Sequence, residues 1–190
     1  MFKVESGEYS PEVTELIKGR KMLSVVAKGG NNTFRSKLLK LRPETILGDQ
    51  KPADMNMAKC CLAGLFLYHD FVGKAHSLCE GVKSLAGCYW HGFVHRHEAD
   101  FANASYWVKR CGNFPFHDSL CLQAKLWAGE RDMSINTKFL SQQRAWEPLA
   151  FLDFVEREVK GEGRDLELCQ MISDLEWRML FHYCYQKAKG

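Results

Sequence analysis

The chain has 190 residues, 46% of them hydrophobic and 26% charged, with a formal net charge of +3. That length suits one domain able to bury about 70% of its unfolded surface, and the balance of apolar and charged residues excludes a disordered or fibrous chain. The longest apolar run, Leu62 to Tyr68 with Gly64 inside it, is too short to span a bilayer, and the opening MFKVESGEYSPEV lacks the apolar core of a secretory signal, so no membrane is expected and the chain is read as cytoplasmic.

Residues 1–50 read as a basic, irregular arm of the same domain. From Leu16 to Arg42 there are eight bases (Lys18, Arg20, Lys21, Lys28, Arg35, Lys37, Lys40 and Arg42) and no acid, which leaves the rest of the chain net acidic. Lys21 to Ala27, KMLSVVA, predicts a short strand ended by the turn Gly29-Gly30-Asn31-Asn32, and Asn32 or Thr33 then caps a helix, FRSKLLKL, that stops before Pro43. Bases beside an exposed glycine turn suit phosphate, which gives one functional reading, a binding protein that contacts nucleic acid or an acidic partner through this arm. Phe34 is the one aromatic of the stretch, whereas single-strand binders need several stacking side chains.

Residues 51–190 read as helical. Asp54 is the expected N-cap of a helix that runs to about Val82, roughly 40 Å at 1.5 Å per residue, with an apolar stripe through Met57, Cys61, Leu65, Tyr68, Val72, Ala75 and Cys79. A second stripe on it passes from Leu62 and Phe66 through His69, Gly73, His76 and Glu80, Gly73 leaving room for a close neighbour. Ser84 to Gly87 allows a tight reversal into an antiparallel helix. Asp100 or Asn103 caps the next, which Gly112 and Pro115 close. A helix follows over residues 116–128, then a polar loop over 130–145 of the kind that often covers a site. Pro148 starts another helix, broken by Gly161 and Gly163, and the last runs from about Asp165 to Lys187. The fold class is therefore an all-α, single-domain helical bundle with a less regular N-terminal arm. The eight scattered cysteines contain no Cys-x-x-Cys pair and are expected as reduced thiols.

Reactive side chains concentrate in Gly87 to Cys111, GCYWHGFVHRHEADFANASYWVKRC. On a helix, His91, His95 and Glu98 fall on one face at i, i+4 and i+7. Two imidazoles and a carboxylate so placed can hold zinc or iron, with His76 or His69 as additional ligands from the preceding helix. The His-Glu-x-x-His pattern of zinc proteases is absent, as is the Glu-x-x-His of di-iron bundles. The paired His69-Asp70 lacks the earlier histidine that an HD phosphohydrolase requires. Without a metal, the same face, His91, His95 and Glu98 with Arg96 and His76, suits a small polar or acidic ligand. A purely structural alternative has these histidines hydrogen-bonded in the interior and Arg96 paired with Asp100. Cys88 near His91, and Cys111 near His117, lack the surroundings of a catalytic thiol.

The string G-x-Y-W-H-G-x-x-H-R-x-E-x-D-F-x-N-A-x-Y-W, Gly87 to Trp107 here, resembles a motif of a family of uncharacterised bacterial and fungal proteins. The likeness is specific over about twenty residues and weaker in the preceding LFLYHDFVGKAH, and His97 stands where that motif has arginine. It marks the central stretch as the shared feature and implies no particular activity.

Overall fold

The N-terminal arm is more regular than its sequence suggests. The computed structural model describes residues 8–131 and 137–190, and all regular structure among them is helical, with no strand. Helix α1 (Pro11–Lys18) starts at Ser10, whose hydroxyl accepts the Val13 N–H, and α2 (Asn32–Lys40) starts at Asn31, capping the Thr33 N–H one residue ahead of expectation. A single 3-10 turn follows at Pro43–Thr45. Val13, Leu16, Leu23, Leu38 and Ile46 are fully buried and pack into the main core, so the arm is a wall of the domain.

The expected strand over residues 21–27 does not form. A helical domain offers it no edge, and its backbone groups are met by other partners. The Leu23 N–H donates to Asp174 Oδ1 at 2.7 Å, the Leu23 carbonyl accepts from Gln170 at 2.9 Å, and the Ala27 N–H donates to the His97 carbonyl at 2.9 Å.

The expected 54–82 helix is two helices, α3 (Met55–Tyr68) and α4 (Val72–Glu80). Between them Asp70 takes the left-handed conformation at φ 62°, which aspartate tolerates better than most residues. Its carboxylate is held there by Arg20 Nη2 at 3.1 Å and His97 Nε2 at 2.8 Å. The apolar period runs through this break because both helices face the same core, which hides the break from pattern reading. Gly73, expected against a neighbour, faces open space.

Helix α5 (Leu85–His97) is capped by Ser84, and α6 (Phe101–Cys111) by Asp100 after Ala99 has reversed the chain at φ 60°. Then come α7 (His117–Gly129), the short α8 (Lys138–Gln142), α9 (Pro148–Val159) and α10 (Leu166–Lys189). Of the polar loop read over 130–145, residues 132–136 lie outside the described residues, and α8 supplies its one short helix. The centre of the bundle is α3, α5 and α10, where Trp90, Trp177 and Phe181 are fully buried. Gly64 permits their approach: a Cβ there would lie 2.8 Å from the Trp90 ring, and its carbonyl accepts the Trp177 indole N–H at 2.9 Å. A second apolar cluster joins α7, α8, α9 and the first half of α10.

All eight cysteines are free, and only Cys88 is not buried. Burial raises the Cys61, Cys79, Cys111 and Cys169 thiols, the last to about 12, so these side chains are neutral packing groups at physiological pH. Among the described residues no helix is long and apolar enough to cross a membrane.

Candidate metal centre

Helices α4 and α5 lie side by side and bring three imidazoles together. His76 comes from α4, and His91 and His95 come from consecutive turns of α5. One nitrogen from each lies within 4.8 Å of the others, and no other group of three or more potential ligands is so close among the described residues. His76 Nε2 and His91 Nε2 are 2.8 Å apart, so one ring donates its N–H to the other. The His91 and His95 rings stack with centroids 5.0 Å apart, and His76 stands edge-on to both.

The packing behind this cluster fixes its orientation. Gly92 faces α6, where a Cβ would lie 3.3 Å from the Trp107 Cβ, and this close approach lets the Trp107 indole lie flat on His91 with centroids 4.0 Å apart. His91 is thereby held between an indole and a second imidazole. Burial, and then the neighbouring His76 and His95, lower its pKa to about 4, and burial with His76 lowers that of His95. At neutral pH both rings are therefore uncharged, the state in which an imidazole ligates a cation.

The other residues singled out from sequence take different positions. Glu98, read with His91 and His95 as the third metal ligand, is the C-cap of α5. Its carboxylate lies outside the ligating group, with Oε2 3.5 Å from His95 Nδ1, and His76 takes the third position in its place. Arg96, read as a ligand-binding residue, is buried and forms an ion pair with Glu176, to which Tyr89 also donates at 2.6 Å. Its structural alternative, a pair with Asp100, does not form. His69 turns away from the cluster. It bonds the Leu16 carbonyl at 3.0 Å and packs against Phe34. His97 is wholly interior, bound to Asp70. Sequence reasoning gave Glu176 no role and Asp100 only that of a cap or ion-pair partner. The signal for Asp100 was its place two residues beyond Glu98, but only the reversal at Ala99 turns it toward His95.

A groove of about 600 Å³ adjoins the cluster. His91 and Trp107 line it, and Glu80, Lys83, Ser84 and Cys88 add polar groups. A second groove, about 650 Å³ between α7 and α10, is lined by apolar side chains such as Leu122, Leu126 and Met179 and by none of His76, His91 and His95. In the basic arm, Arg20 is turned inward onto Asp70 and Ser24, and Lys37 pairs with Glu15. The groove between α1 and α2 sets Lys37 and Lys40 among Glu12, Glu15 and Asp49, so acids interrupt the positive face.

No protein-family model, curated protein or solved structure matches this chain.

Proposed function

We propose that the chain binds one divalent transition-metal ion, zinc or iron, through His76, His91 and His95, and that the adjoining groove receives a small polar or acidic ligand beside it. The observation that carries this reading is the convergence of three imidazoles from two helices, one nitrogen of each within 4.8 Å of the others. Nitrogens bound to zinc at 2.0–2.1 Å in a tetrahedron stand about 3.4 Å apart, so the 2.8 Å His76–His91 pair has to open by about half an ångström. Part-exposed His76 sits on the short helix α4 at the surface, where such a shift disturbs little.

Neutral imidazoles favour a borderline metal over magnesium or calcium, which take oxygen ligands. Three protein ligands is the number found in zinc sites that keep a position for water or a substrate, whereas structural zinc sites have four. Glu80, Glu98 and Asp100 add negative charge around the cluster, which favours a dication. The Gly87–Trp107 string contains two of the three imidazoles and the indole that packs on His91, so proteins sharing that string are expected to share the site.

Calorimetric titration of chelator-treated protein with Zn²⁺ tests the proposal. One ion per chain is expected, with at least a hundredfold weaker binding in His91→Ala and in His76→Ala. Absence of saturable binding, or binding unchanged in both variants, would refute it.

A further inference from the structure

The turn after α5 places two carboxylates against the buried side of His95. Its Nδ1 is buried, makes no hydrogen bond, and has Glu98 Oε2 at 3.5 Å and Asp100 Oδ2 at 3.6 Å. The chain is bent to produce this. Ala99 adopts φ 60°, the Asp100 N–H donates back to the His95 carbonyl at 2.9 Å, and Asn103 fixes Asp100 through its side-chain amide at 2.6 Å and its backbone N–H at 3.2 Å. A left-handed alanine has a conformational cost that the surrounding contacts must offset.

Building on the metal reading above, we propose that Glu98 and Asp100 are positioning residues that act on the metal through His95. A neutral imidazole carries one N–H, and facing two carboxylates that N–H belongs on Nδ1, because a lone pair there would be repelled by both. The Nε2 lone pair is then the one presented to the cation. Coordination to a dication polarises the ring, makes the Nδ1–H a stronger donor, and draws it onto whichever carboxylate closes the remaining few tenths of an ångström. Such outer partners orient the ring and raise its basicity as a ligand. Neither carboxylate oxygen belongs to the group of mutually close ligating atoms.

Co²⁺ serves as the probe, titrated into the full chain, Glu98→Gln, Asp100→Asn and the double variant, with affinity and visible absorption as readouts. Asparagine caps a helix as well as aspartate does, so Asp100→Asn leaves α6 intact. The double variant is expected to bind Co²⁺ 10- to 100-fold more weakly. Its absorption should keep the intensity of a three-histidine site while its bands move in energy, and Glu98→Asp should restore part of the affinity. Binding within twofold of wild type and identical bands in the double variant would overturn the proposal while leaving the metal site standing. So would a fall in band intensity in Glu98→Gln, which would make Glu98 a direct ligand. Failure of the wild type to bind Co²⁺ would instead remove the metal reading, and this inference with it.

Discussion

Within seven residues of α5, His91-Gly-Phe-Val-His-Arg-His97, the same side-chain types meet two different ends. On the inner face Arg96 and His97 find acids supplied by other elements, Glu176 from α10 and Asp70 from the α3–α4 junction, and each pair is buried. On the outer edge His91 and His95 converge with His76; the acids nearest them, Glu98 and Asp100, stand 3.5 and 3.6 Å from His95 Nδ1, and an open groove lies alongside. A polar residue whose partner lies within the fold is holding the fold together. Several of one ligating type that converge without such a partner are available to something else.

The strongest way to break this contrast is at Glu176. Its pair with Arg96 is almost fully buried, so Glu176→Ala leaves an uncompensated buried charge and an unpaired Tyr89 hydroxyl. A loss of about 3–5 kcal/mol in denaturant unfolding is expected, and a loss below about 1 kcal/mol would place Arg96 outside the structural set.

Acid provides the next test, through His69. Burial, opposed only in part by the Leu16 carbonyl, lowers its pKa from 6.5 to about 4. Below pH 6.5 the unfolded chain takes up a proton that the folded chain refuses, so the contribution is intact above pH 6.5 and falls away down to about pH 4. Its size is roughly 3 kcal/mol, and the lowered His117 adds to it in the same direction. His69→Gln should flatten the pH dependence of unfolding over that interval. An unchanged profile would show that His69 is already protonated in the folded chain.

Exchanging the two histidine fates sharpens the comparison. His97→Ala leaves buried Asp70 without one of its partners, and about 1–3 kcal/mol of stability should disappear while metal binding persists. His91→Ala should do the reverse, weakening binding at least a hundredfold with the smaller effect on unfolding. If both variants change the same property, the two faces of α5 are not functionally distinct. The smallest effect is expected at the N-cap of α3, where Asp54→Ala should cost about 1 kcal/mol and leave the metal affinity untouched.

Much of this architecture was legible in the residues themselves. The caps at Asp54 and Asp100 and the start at Pro148 rest on local chemistry that tertiary contacts did not override. The i, i+4 spacing put His91 and His95 on one face. What was hidden depends on long-range partners. Asp70 breaks the long helix because Arg20 and His97 reach it from 50 residues before and 27 after. That break sends His69 inward and His76 toward α5, a division that an unbroken helical period cannot show. Glu98 continued the face of a helix that in fact ends at His97, and its carboxylate sits 3.5 Å from His95 Nδ1. The buried role of Arg96 required knowing that α10 carries an acid opposite it.

Anomalous diffraction at the zinc edge, from crystals grown with one equivalent of Zn²⁺, tests the central claim most directly. The account predicts a single strong peak per chain about 2.0–2.1 Å from one nitrogen each of His76, His91 and His95, with the His76–His91 hydrogen bond replaced. A structure with no peak at this position and the two rings still hydrogen-bonded at 2.8 Å would contradict it.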